Sequence, residues 1–303
     1  MLAAGSAILA LSRPQAVTSL VRTAGVDLVI LQDGSASMHV TDVKGDRWQR
    51  SMHFLRTLGE ALRWENDRVA MALFAHMATP QIRLTKDPNT YFFFLDHLEE
   101  KSPYRLEDDG TWDTNIERGI YWGLRLIEKD EELRKVAQST SKVPEASNAR
   151  AFVLVSDGQS WSGEVAKSLA LAQGRGIPLS VVGVGTTAGG IIPDPKREAN
   201  QPIVRSVLNR AELTRIATAG GGRYFELDRE TDREIANEII DTTRRRAGTT
   251  GIQEGTKDLY WNFLFAAGVF LSLGVLFLRD RTALALQLAA AAAVFVFVQT
   301  VFL

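Results

Sequence analysis

The sequence predicts an α/β fold: a doubly wound, mostly parallel sheet with helices on both faces, followed by C-terminal transmembrane helices. Three observations carry this expectation. Apolar runs at Val26–Leu31, Ala151–Ser156 and Ile177–Val184 have the length and composition of strands buried on both faces. Segments with apolar residues at helical spacing alternate with these runs, as in strand–helix–strand units. From Tyr260 onward the composition changes abruptly and becomes almost wholly apolar.

Taken in order, residues 1–22 form a short apolar N-terminal segment and linker. Leu2–Leu11 is too short to span a bilayer and lacks a preceding basic residue, so it makes a poor signal peptide. It reads as the tail of a longer membrane helix or as an interfacial anchor. Val26–Leu31 is the first strand. Trp48–Leu62 is a helix whose Met52, Leu55, Leu58 and Leu62 fall on one face. Arg68–Ala75 and Ala78–Leu84 read as a hairpin, and Pro88–Leu98 as a short helix whose aromatic run through Phe92–Phe94 is assigned to the core. An acidic loop, Lys101–Asp113, leads into a helix from Asn115 to about Ile127.

The second buried strand, Ala151–Ser156, precedes a helix over Gly163–Gln173, and Ile177–Val184 is the third. Thr186–Ser206, with three prolines and two adjacent glycines, is an irregular excursion or a long hairpin. A helix over Arg210–Ala219 ends at Gly220–Gly222, a short strand follows at Arg223–Phe225, and Thr231–Glu234 carries the N-cap signal of the last helix. Arg244–Arg246 reads as solvating that helix's end. The domain thus covers 23–246 and a linker 247–259. One helix over the last 44 residues would be about 66 Å long, roughly twice the hydrocarbon thickness of a bilayer. Two transmembrane helices, 260–278 and 282–303, joined by the charged turn Arg279–Arg281, fit better.

A net charge of -1 argues against general affinity for nucleic acid. The absence of cysteine excludes thiolate catalysis, zinc–thiolate sites and disulfides. The four histidines lack ligand spacing, and the glycine clusters lack a P-loop lysine or dinucleotide-binding spacing.

The chemistry concentrates at Asp33-Gly34-Ser35-Ala36-Ser37, on the loop leaving the first strand. A carboxylate and two hydroxyls at alternate positions are hard oxygen ligands suited to Mg²⁺, Mn²⁺ or Ca²⁺. Asp157 also follows a buried strand directly, which puts two carboxylates at one sheet edge, where ligands of such sheets bind. Their repulsion requires a cation between them or a proton on one. Thr114, on a loop opening a helix, is placed to point its hydroxyl at the same edge.

Asp33, Ser35, Ser37, Thr114 and Asp157, in this order on these elements, resemble the von Willebrand factor type A (VWA) domain over roughly Val26–Thr243. The resemblance implies a metal-ion-dependent adhesion site. Ser35, Ser37 and Thr114 would touch the ion, Asp33 and Asp157 would act directly or through water, and one position would await a partner's carboxylate. Thr111 is a minor alternative hydroxyl. Trp112 and Trp161 either pack beneath the metal loops or form an apolar rim around the partner's acid.

The flanks narrow the likeness. Leu9–Gln15, Gly183–Thr186 with Ile192-Pro193, and Leu213–Ala217 with Gly222–Phe225 resemble bacterial aerotolerance BatA/BatB-type membrane proteins. That resemblance implies assembly or chaperone-like work beside other membrane VWA proteins and a MoxR-type AAA+ ATPase, with Mg²⁺ as the ion. Two departures stand out: such chains usually begin with two membrane helices and end with one, and the loop before Thr114 is longer and more acidic here. The expected location is the bacterial cytoplasmic (inner) membrane, with the domain periplasmic or otherwise extracytoplasmic, since the basic turn Arg279–Arg281 favours the cytoplasm. The chain reads as a binding protein, not an enzyme. A metal-dependent hydrolase and a purely structural membrane scaffold are the alternatives.

Overall fold

The computed structural model describes residues 2–21, 25–100, 104, 112–138, 148–160, 163–198, 200–246, 252–276 and four isolated positions (282, 285, 289 and 290). The chain divides into two compact units, one formed by Met1–Arg22 with Gly251–Leu303 and the other by Thr23–Thr250.

In the smaller unit, helix α1 (Leu2–Leu11) is followed by strand β1 (Gln15–Val21). The larger unit opens with β2 (Val26–Asp33), whose eight residues are all buried, then a 3₁₀ turn (Ala36–His39) and helix α2 (Arg47–Ala61). The Asp46 carboxylate caps α2, accepting from the Gln49 N–H at 2.7 Å. β3 (Arg68–Phe74) and β4 (Ala78–Thr85) form the expected hairpin. Helices α3 (Pro88–Glu100) and α4 (Ile116–Gln138) follow, then β5 (Ala149–Ser156), α5 (Val165–Gly174) and β6 (Leu179–Gly183). The excursion after β6 contains a two-residue-per-strand hairpin, β7 (Gly190–Ile191) and β8 (Arg205–Ser206). Helix α6 (Arg210–Ala219), β9 (Gly221–Glu226) and α7 (Asp232–Arg246) complete the unit.

The main sheet runs β4-β3-β2-β5-β6-β9, parallel except for the β4 edge. Period-two alternation sends Leu28 and Ile30 to one face and Val29 and Leu31 to the other. The first face packs on α2, α3 and α7 through Leu55, Leu58, Tyr91, Ile235 and Ile239. The second packs on α4, α5 and α6 through Ile120, Leu124, Leu169, Leu213 and Ile216. At roughly 1.5–3 kcal/mol per buried large aliphatic side chain, these two layers supply the main driving force. Because β3 lies on one side of β2 and β5 on the other, strand order reverses beside β2, which sets a crevice at the carboxyl ends of β2 and β5.

Several expectations need revision. Helix α4 runs about three turns past Ile127, since its later residues continue as an exposed charged helix stabilised by pairs such as Lys129–Glu132. Within the aromatic run it is Tyr91 that is fully buried, whereas Phe93 is exposed. Arg244 does not merely solvate a helix end: it pairs with the buried carboxylate of Asp67 at 2.7 Å. The linker expected at 247–259 contains strand β10 (Ile252–Asp258), which pairs antiparallel with β1 in the register Gln15↔Asp258 to Val21↔Ile252. The stretch before residue 22 is therefore also strand rather than plain linker. Helix α8 (Tyr260–Leu276) follows and lies against α1. Among the described residues no helix is long and apolar enough to cross a membrane. Most of 282–303 lies outside the described residues.

Candidate metal centre

The five candidate metal ligands, Asp33, Ser35, Ser37, Thr114 and Asp157, all lie at the carboxyl edge of the main sheet. Asp33 ends β2, and the register carries it alongside Phe74 of β3 and next to the end of β5. Gly34 donates its N–H to the Phe74 carbonyl at 2.7 Å, so the loop turns while still tied to the sheet. Met38 drives into the core and Ala36 is buried, which holds the 3₁₀ turn down with Ser37 between them and Ser35 just before it. Ser35 Oγ and Ser37 Oγ are 3.0 Å apart. Thr114 is buried in the loop before α4. That loop is fixed to the end of β3 by the Asn115 N–H donating to the Ala75 carbonyl at 2.9 Å, while Asn115 Oδ1 caps α4 at the Arg118 N–H. The Ser160 hydroxyl donates to the Thr114 carbonyl at 3.2 Å, linking this loop to the one after β5.

Both carboxylates are completely buried. Asp33 Oδ1 accepts from the Ser35 N–H at 2.9 Å, and Oδ2 accepts from the Ser156 hydroxyl at 2.6 Å. Burial, and after it the repulsion of Asp157, push the Asp33 carboxyl up to about 7 despite these two bonds. Asp157 Oδ1 accepts from the Gln159 N–H at 3.1 Å.

Sequence reasoning missed the group that meets the other oxygen. Arg47, at the first position of α2, has a side chain with no solvent exposure, and its guanidinium donates to Asp157 Oδ2 at 2.7 Å. It also donates to Asp42 twice, at 2.8 Å each, and to the Ser206 hydroxyl at 2.6 Å. Ser206 in turn donates to Asp157 Oδ2 at 2.7 Å. Burial acts to raise the Asp42 carboxyl, but the bonds from Arg47 and Thr186 outweigh it and hold Asp42 below the usual carboxylate range. A trace of this was present in the sequence: a cation in the first turn of a helix opposes the macrodipole and calls for a nearby acid.

The donor set suits a hard divalent cation. It offers two carboxylates and three hydroxyls, and the elevated Asp33 carboxyl marks a place where one more positive charge is favourable. Among the described residues no group of three or more His, Asp or Glu side chains is placed to hold an ion, so the hydroxyls are indispensable to any such site. Trp112 is partly buried and packs on Ala36, Val40 and Ile192. Trp161 and Thr111 lie outside the described residues.

The family profile described as von Willebrand factor type A domain matches residues 27–242. Among solved structures, an aerotolerance-related membrane protein from Bacteroides fragilis is 24% identical, with a TM-score of 0.57, over 73% of this chain and 100% of its own. The conserved hypothetical protein BatB from Bacteroides thetaiotaomicron is 26% identical, with a TM-score of 0.56 and the same coverage. No curated protein matches the chain.

Proposed function

Because the chain belongs to the von Willebrand factor type A domain family, we propose that it is a membrane-anchored binding protein that captures an acidic side chain of a protein partner through a divalent cation. Asp33, Ser35, Ser37, Thr114 and Asp157 would hold the ion, Mg²⁺ first, with Mn²⁺ or Ca²⁺ as alternatives. The observation that carries the reading is the burial of two carboxylates at neighbouring strand ends beside paired serine hydroxyls. When bound, the cation supplies a Lewis-acidic position for one oxygen of the incoming carboxylate.

The chain's own residues supply the geometry. The Ser35 N–H and the Ser156 hydroxyl fix both oxygens of Asp33. The Asn115 N–H, donating to the Ala75 carbonyl, keeps the Thr114 loop against the sheet. Trp112 would then form part of the apolar surround of the captured acid.

Membrane attachment is supported by the smaller unit. Leu2, Ile8, Leu9 and Leu11 of α1 and Trp261, Leu264, Phe265, Phe270 and Leu273 of α8 are all exposed, far more contiguous apolar surface than a water-facing helix carries. We place these helices and the apolar segment after them in the bacterial inner membrane, with the binding domain extracytoplasmic. Likeness to BatB motivates other membrane VWA proteins as partners, and a MoxR-type ATPase as an associate. The test is a pull-down with detergent-solubilised full-length chain in Mg²⁺ or EDTA, comparing the native chain with Asp33→Ala. Retention that requires both Mg²⁺ and Asp33 supports the reading; retention that survives EDTA and the substitution refutes it. Protease accessibility in spheroplasts decides the orientation.

A further inference from the structure

Arg47 is buried as completely as any core residue, yet it carries a charge and opens a helix whose dipole repels it. Placing a guanidinium there is unfavourable unless its acceptors are built around it. They are. Asp42 engages both its Nε and one terminal nitrogen, while the other terminal nitrogen reaches Asp157, Ser206 and, at 3.4 Å, the Ser37 carbonyl. The backbone is shaped to admit it: Gly185 has a φ of +113°, and a Cβ there would stand 2.5 Å from Arg47 Nε. Asp42 in turn accepts from the Thr186 N–H and hydroxyl, at 2.8 and 2.9 Å. Arg47 therefore joins three segments: the serine loop, the loop after β5, and the excursion bearing β7 and β8.

We infer that Arg47 is a positioning residue of the metal centre, an internal counter-ion that competes with a cation for the charge of Asp157 Oδ2. This deepens the proposed function and rests on it. With Gln159 and Ser206 completing the hold, Asp157 is anchored at both oxygens, and its charge is already answered by the guanidinium. A cation in the site then keeps more of its own charge for the partner's carboxylate. The consequence has a sign opposite to that of a merely structural role. Removing Arg47 weakens the fold but tightens the metal.

The test measures Mn²⁺ affinity of the full chain in detergent, by electron paramagnetic resonance of the free ion, beside the melting temperature. For Arg47→Met, Mn²⁺ binds tighter by about tenfold or more, because a unit charge a few ångströms from a divalent ion is lost at an effective dielectric near 20. Ser206→Ala keeps the guanidinium but frees one bond to Asp157, and tightens Mn²⁺ by a smaller factor, about two- to threefold, on the scale of one hydrogen bond. Arg47→Lys, which keeps the charge without the fork, stays nearer the native affinity than Arg47→Met. If Arg47→Met does not fold, the Ser206→Ala affinity alone decides. Unchanged or weaker Mn²⁺ binding in the folded variants overturns the inference, provided that Asp33→Ala abolishes binding. Mn²⁺ binding that survives Asp33→Ala overturns the metal-site reading instead.

Discussion

Replacing Asp33 by Asn should flatten the pH dependence of the metal-free protein's stability. The unfolded chain releases the Asp33 proton near 3.9, whereas the metal-free native domain keeps it to about 7. Between those values the native state binds a proton that the unfolded state has lost, so stability falls as pH rises through this window and levels above it. From pH 5 to pH 8 the loss amounts to about 3 kcal/mol, at about 1.4 kcal/mol for each pH step within the window. Asn has no proton to lose. Its Nδ2 can face the Ser156 hydroxyl, which must then turn from donor to acceptor, so the level of stability shifts by about 1 kcal/mol at every pH. The slope, not the level, is therefore the quantity to compare. Urea unfolding of the full chain in detergent and EDTA, followed by tryptophan fluorescence, reads it. Trp48 is buried on α2 and reports on the larger unit. The native chain should lose about 3 kcal/mol more than Asp33→Asn between the two pH values, and saturating Mg²⁺ at pH 8 should restore only the native chain. Equal slopes in EDTA would refute the assignment of a buried, proton-holding acid to this position.

Two further outcomes follow from geometry. Arg244→Ala leaves the buried Asp67, among the described residues, with the Val26 and Arg63 N–H groups, and should cost about 1–3 kcal/mol in a urea titration, whereas exposed Arg245→Ala should change it by less than about 0.5 kcal/mol. Gly185→Ala forces a Cβ against Arg47 and a side chain into positive φ; at about 1–3 kcal/mol, and about 2–4 °C per kcal/mol in a domain of this size, a calorimetric scan should show a drop of several degrees, and an unchanged midpoint would contradict the close approach.

What the sequence made legible was local or periodic. Val26–Leu31 and Ala151–Ser156 read as buried strands, and the acid just beyond each occupies an edge position, so the sequence alone puts Asp33 and Asp157 together. Thr231 and Glu234 signalled a helix start, and they do bond reciprocally, through Glu234 Oε2 with the Thr231 N–H and Thr231 Oγ1 with the Glu234 N–H. What stayed hidden depends on contacts remote in sequence. Arg47 meets Asp157 and Ser206 across 110 and 159 residues, and a single arginine in a polar loop gives no hint of which acids will surround it. Strand β10 reads as a polar linker because Gln253, Glu254, Thr256 and Lys257 outnumber its apolar residues; it is a strand only through its pairing with β1. The excursion after β6 was visible as irregular, but its role in holding Ser206 and Thr186 to the site was not.

The reversal of strand order beside β2 also governs how the chain comes into being. Ser156, which steadies Asp33, is made 123 residues after it, an interval of about 6–25 s at common rates of synthesis. Once β3 is made, β2 has it for a companion but nothing on its opposite flank until β5 follows, an open apolar edge of the kind that recruits neighbouring chains. The cradle for the ion is complete only once the chain has passed Asp157, about midway along its length.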